Sequence, residues 1–278
     1  VTGQWPTGRL TIADLPRCVA LSVDRDWLDT EVKWRILFGV GTVFGIEDPA
    51  GELVATVGMT SYGGKMVAVS MVLTASRYGR RGLAGRLMEH ILAESQDATV
   101  FLYATTYGHP LYERLGFAVA GQISTCIGNF RPVAAIQRSR PVRDDDLPVM
   151  LALDRQVFGA DRSPLLRWLM NSGEQFRLVE RDGTIVAYGA AWSNVDTRVI
   201  GPVVADDSMV ATELIADLVG EWDGPIRIDV TDSHPKLVSW LTSRGLEVVN
   251  TCDLMVYKGR SMPGDRRKLV AIVNQAHG

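Results

Sequence analysis

The sequence predicts two α/β domains in tandem, each a mixed sheet dressed with helices, and three observations predict it. In the first half a strand-like run passes through a glycine-rich turn into an amphipathic helix. A second strand, loop and short helix follow downstream, and the second half then repeats much of the first at a nearly constant offset. The length, 278 residues, suits two domains of common size, and 46% hydrophobic against 22% charged content leaves enough apolar side chains for a core in each. The division predicted is 1–132, 138–260 and a tail at 261–278, with the join near the proline- and arginine-bearing stretch 131–143.

Residues 66–73, MVAVSMVL, are apolar and β-branched, as a buried strand requires. Residues 77–87 then read RYGRRGLAGRL. Leu83, Leu87, Ile91 and Leu92 recur at helical spacing, which leaves Arg86, Glu89, His90 and Glu94 for water. A strand that runs through glycines into a helix start aims unpaired backbone N–H groups outward, with the positive end of the helix dipole behind them. That geometry binds pyrophosphate. Gly79 and Gly82 permit close backbone approach, while Arg77, Arg80 and Arg81 add charge. The spacing differs from two other phosphate cradles: no Lys-Ser or Lys-Thr closes the turn, and Gly79, Gly82 and Gly85 form G-x-x-G-x-x-G rather than the dinucleotide G-x-G-x-x-G. An ordinary surface turn is the competing account of the loop taken alone.

Residues 100–117 read VFLYATTYGHPLYERLGF: a short apolar strand, a Thr-Thr-Tyr-Gly loop, and a short helix stopped by Gly116 as a left-handed cap. Together with the upstream turn, this ending, Tyr112-Glu113-Arg114-Leu115-Gly116-Phe117, resembles the GNAT acetyltransferase superfamily, whose motifs occur in this order. The resemblance implies acetyl-coenzyme A as donor. Backbone around Met71, Val72 and Leu73 would bond the pantetheine arm, and the loop from Gly79 through Arg80, Arg81, Gly82 and Leu83 to Ala84, with Arg77 and Thr105 nearby, would hold the rest of the coenzyme. Tyr112 falls on the family's general acid; a phenol near pKa 10 can donate to a departing thiolate of about pKa 8.5. Departures exist. Gly79 replaces the family's Arg or Gln at the start of the loop, Ser76 replaces a common Pro, and Tyr103 stands where Asp is usual in similar tandem proteins.

The internal repeat divides the chain further. Gly51-Glu52-Leu53-Val54-Ala55 recurs as Gly183-Thr184-Ile185-Val186-Ala187, an offset of 132 residues. Past the turn, the helix at Leu87 matches Leu214, an offset of 127, so five residues are missing across the cradle. The second turn reads Ala205-Asp206-Asp207-Ser208, and its carboxylates would repel a pyrophosphate. Asp207 or Ser208 reads better as a helix N-cap, and Tyr112 maps onto Leu241. The second half is therefore expected to be a degenerate copy, kept for support or for shaping an acceptor pocket.

The resemblance implies an acceptor groove formed by the first helices and the strand edges opposite the coenzyme, which here holds residues 24–35, where carboxylates mixed with indoles would suit a cationic amine. Trp27, Trp34 and Tyr103 are candidate substrate contacts, and Trp27 and Trp34 serve equally as core residues. An alkyl ammonium must lose its proton before attack, so a base is expected among Asp26, Glu31 and His109, directly or through water. No Ser-His-Asp or Cys-His set suggests a covalent acyl-enzyme. The reaction expected is direct N-acetylation of a small molecule or amino-acid derivative. The alternatives are a coenzyme-A sensor or scaffold without turnover, and a transferase using aminoacyl-tRNA.

The net charge of −3 without a basic tract disfavours nucleic acid, and no apolar run is long enough for a membrane span. Three dispersed cysteines fit reduced thiols, and four scattered histidines give no metal spacing. A cytoplasmic protein without a metal is expected, with a homodimer through the second half left open. The tail residues 266–278, RRKLVAIVNQAHG, are read as one amphipathic helix.

Overall fold

The computed structural model describes residues 5–28, 30–132 and 138–278. Residues 133–137, inside the predicted join at 131–143, lie outside the described residues. The first half contains β1 (Thr7–Leu10), α1 (Leu15–Val23), α2 (Glu31–Val40), β2 (Thr42–Glu47), β3 (Leu53–Tyr62), β4 (Met66–Thr74), α3 (Leu83–Glu94), β5 (Thr99–Ala104), α4 (His109–Arg114) and β6 (Phe117–Asn129). The second contains β7 (Arg140–Pro141), α5 (Leu147–Phe158), α6 (Ser163–Asn171), β8 (Gln175–Arg181), β9 (Thr184–Asn194), β10 (Thr197–Ala205), α7 (Ser208–Val219), β11 (Pro225–Thr231), α8 (Pro235–Ser243), β12 (Leu246–Tyr257) and β13 (Leu269–Ala271).

All thirteen strands join one mixed sheet, in the order β1-β2-β3-β4-β5-β12-β6-β11-β13-β10-β9-β8-β7. The halves exchange strands. β12 of the second half lies between β5 and β6 of the first, and β6 in turn pairs with β11. Interleaving places backbone hydrogen bonds, as well as side chains, across the division. Helices add to the contact: α2 lies so close to α6 that a Cβ on Gly39 would fall 2.3 Å from the Trp168 indole nitrogen.

Apolar periodicity explains the helices. On α3 the buried face is Leu83, Leu87, Met88 and Ile91. His90, expected in water, instead packs edge-on against Phe44 with ring centroids 4.5 Å apart. Gly116, φ +91, ends the α4 turn in the left-handed region as the cap predicts.

The tail corrects the sequence reading. Instead of an amphipathic helix it forms a short 3-10 turn at Arg266–Lys268, then β13, then a turn around Asn274, and Leu269 to Val273 are each fully buried. A continuous run of apolar and β-branched residues has no helical polar face, and here it serves as a strand buried on both sides.

Candidate active site

β4 and β5 begin as a parallel pair, Met66↔Thr99 through Ala68↔Phe101, and then diverge. β4 stays bonded to β3 on its other side, with a bulge opposite Thr56 and Gly58. At that bulge Met71 takes φ +49, and its carbonyl accepts the Thr56 hydroxyl at 2.9 Å. The edge of β4 beyond Ala68 therefore faces a gap with its peptide groups unpaired by strand β5. A cavity of about 1070 Å³ occupies that gap, near the upper end for ligand sites.

The glycine-rich turn closes one end. Gly82 is the N-cap of α3 in the left-handed region, φ +78, and the amides of Leu83, Ala84 and Gly85 find no backbone partner among the described residues. A Cβ at Gly82 would meet nothing within 4 Å, so the conformation rather than crowding asks for glycine there. Asp24 pins the approach to the turn, accepting the Ser76 amide at 2.6 Å and its hydroxyl at 2.9 Å. The Ser76 amide, with burial opposing it, holds the Asp24 carboxyl below its ordinary value. Nothing in the local sequence singled Asp24 out.

Of the residues chosen from sequence for the coenzyme, Met71, Val72, Leu73, Gly79, Arg80, Arg81, Gly82, Leu83, Ala84 and Thr105 line the cavity. Arg77 does not: it lies over Tyr78 and turns toward Asp48, 3.6 Å away, because Tyr78 and Asp48 are themselves bonded at 2.9 Å. Tyr112 lines the cavity from α4, 8% exposed, and burial pushes its phenol well above the ordinary value. Gly108 makes room for that ring, since a Cβ there would stand 2.8 Å from it.

The acceptor candidates separate. Asp26, Trp27 and Tyr103 line the cavity. Trp34 does not; it is fully buried, stacked on Phe38, and donates its indole N–H to Ser22 at 3.0 Å. Glu31 points away on α2 and pairs with Arg35 one turn on, at 2.7 Å. His109 lies toward a separate small cleft, held there by Asp253 at 3.2 Å and Glu113 at 3.6 Å. Asn250, Gln275 and Ala276 of the second half also line the main cavity, and the local sequence gave no sign of them.

The matching gap in the second half is filled. β10 and β11 start parallel, Arg198↔Ile226 and Val199↔Arg227, and part as β4 and β5 do. There β13 enters between them, pairing Val203↔Ala271 and Val230↔Ala271, and the Ile272 amide bonds the Asp229 carbonyl at 3.1 Å. Gly201 permits this, as a Cβ there would stand 2.1 Å from the Ile272 carbonyl oxygen. Asp207 caps α7 by accepting the Val210 amide at 2.8 Å, and Leu241 is fully buried.

Cys18, Cys126 and Cys252 are buried and unbridged. Among the described residues no three His, Cys, Asp or Glu side chains gather as a metal ligand set, and no helix is long and apolar enough to cross a membrane.

Two profiles of the acetyltransferase (GNAT) domain match the chain, one over residues 22–120 and the other over 150–271. An uncharacterized N-acetyltransferase of Bacillus subtilis, YitH, is 28% identical over 254 residues, 89% of each chain. The fold is also that of a crystallised Pyrococcus horikoshii protein, with TM-score 0.87 and 18% identity over 99% of this chain and 96% of that one. A tandem GNAT protein from the clavulanic acid biosynthesis pathway superposes with TM-score 0.64 at 11% identity, covering 93% of this chain and 100% of that one.

Proposed function

The chain belongs to the GNAT acetyltransferase superfamily, with two such domains in tandem, and from that premise we propose that its first half transfers acetyl from acetyl-coenzyme A to an amine of a small molecule or amino-acid derivative. The observation that carries the reading is the open gap between β4 and β5, with a glycine-arginine turn at one end and Tyr112 within it. The unpaired edge of β4 suits an extended pantetheine arm lying as an added strand. The start of α3, with Arg80 and Arg81 beside it, suits the pyrophosphate.

In the reaction so proposed, the lone pair of a neutral amine attacks the thioester carbon, the C–N bond forms, and the C–S bond breaks. Tyr112, protonated at neutral pH because burial disfavours its phenolate, donates a hydrogen bond and then its proton to the departing sulfur. Asp26 is the base candidate that lines the cavity, and it would receive the amine proton directly or through water.

Titration of acetyl-coenzyme A into the 278-residue chain by calorimetry tests this, with thiol release followed over a panel of amines. One site per chain is expected, abolished in Gly82→Asp, where a strained φ and a carboxylate meet the phosphates. Absence of binding by the unaltered protein would overturn the donor assignment.

A further inference from the structure

The two faces of the sheet around β4 and β5 are built differently. On the face toward α3 and Tyr112 lie Val67, Val69 and Leu102. On the other, Met66, Ala68, Phe101 and Tyr103 pack with Leu269, Ile272 and Val273 of the second half. Ser70 continues that second alternation, lines the cavity, and keeps a hydroxyl with no hydrogen-bond partner while only 7% exposed. An acceptor arriving opposite the glycine-rich turn therefore meets side chains of the second half.

Two of these carry carboxamides held by a hydrogen bond, Asn250 through its Nδ2 on Cys252 Sγ at 3.2 Å and Gln275 through its Nε2, and only the Gln275 bond leads on to a buried ion pair. Asp229, 1% exposed, pairs with Arg227 at 3.1 Å and receives the Thr125 hydroxyl at 2.6 Å. An ionised carboxylate only accepts, so Thr125 spends its single proton there and offers lone pairs elsewhere. Gln275 answers with its Nε2, at 3.1 Å from Thr125 Oγ1. The reversed amide would set oxygen against oxygen. Hydrogen-bond polarity, running from Asp229 through Thr125, thus commits the Gln275 carbonyl oxygen to the side away from Thr125, and the residue lines the cavity.

We propose that Gln275 determines acceptor specificity: its carboxamide oxygen accepts an N–H from a primary amine, and Thr125 and Asp229 are positioning residues that hold it so. This rests on the acetyl-transfer reading above. A primary amine can keep one N–H on Gln275 while its lone pair attacks. An alcohol has a single O–H and must release it in the same step, so the site favours amines. The bond forms before and during attack alike, and its loss weakens binding more than turnover.

The test uses the full chain and primary alkylamines, polyamines and amino-acid esters, with calorimetric binding to the coenzyme-A-loaded protein alongside steady-state thiol release. Gln275→Leu should raise acceptor KM and Kd about tenfold, with kcat and acetyl-coenzyme A affinity unchanged. Gln275→Met, closer in length, serves as the second variant should leucine disturb the turn. Thr125→Val should weaken acceptors in the same direction and Thr125→Ser, which keeps the hydroxyl, should not; a purely structural role for the threonine would not divide the two in this way. Unchanged acceptor affinity in both Gln275 variants overturns the proposal, as does failure of every amine to bind the loaded protein. Failure of the unaltered chain to bind acetyl-coenzyme A overturns instead the reading beneath it.

Discussion

The two halves build the same parting of parallel strands and put it to opposite uses. In the first, β4 and β5 separate around a cavity whose end is a glycine-rich turn. In the second, β10 and β11 separate around β13, so the chain's own backbone supplies the hydrogen bonds. The difference teaches that a parted pair of strands is an unsatisfied structure: exposed peptide edges must be met by ligand, by water, or by another strand. Where the turn is shorter and acidic, residues 269–272 occupy the corresponding gap.

The sharpest way to break this comparison is at position 112 and its counterpart. Tyr112→Phe should lower kcat about a thousandfold with acetyl-coenzyme A affinity kept, read by stopped assays beside calorimetry. Leu241→Ala should instead cost about 3 kcal/mol of stability in urea, with kcat per folded molecule unchanged. Equal effects on activity would mean that both halves take part in the chemistry. Gly201→Ala presses on the filled gap: the Ile272 carbonyl must move, which should cost about 2–3 kcal/mol and raise acceptor KM through the displaced Gln275 turn.

Acid sharpens the same contrast. Burial, with Lys33 as the smaller cause, pushes His277 down to about 3. The unfolded chain takes up that proton near pH 6.5 and the folded chain does not, so stability is lost as pH falls from about 6.5 toward about 3. Between pH 7 and pH 5 this group alone should account for about 2 kcal/mol, seen as the difference between wild type and His277→Gln in urea midpoints. A variant with the same pH dependence would show that His277 is solvated. Smallest is Gly108→Ala, whose Cβ would crowd the Tyr112 ring; kcat should fall about tenfold with thermal stability nearly unchanged.

Local chemistry made the turn at Gly79 and Gly82, the strand-helix alternation and the Asp207 cap readable from sequence, because each depends on neighbours in the chain. The repeat offsets likewise located the shortened second cradle. Partner choice among strands was not readable. Nothing within β12 says that it will lie between β5 and β6, and Leu269-Val270-Ala271-Ile272-Val273 carries an apolar run that fits a buried strand or a buried helix alike. Glu31, Trp34 and His109 were chosen by composition and proximity, and partners elsewhere hold each away from the cavity: Arg35, Ser22 in the core, and Asp253. Gln275 lies far from the motif residues in sequence, and only the tertiary fold brings it beside them.

The exchanged strands also bear on how the protein is made. During synthesis, the β5 edge waits for residues 246–257, which leave the ribosome after nearly all of the second half. Until then the nascent first half is a sheet with a missing rung and an exposed edge, open to pairing with a neighbouring nascent chain. A gene split at the join would yield two products that each lack a strand, and would ask two polypeptides to find each other where one now suffices.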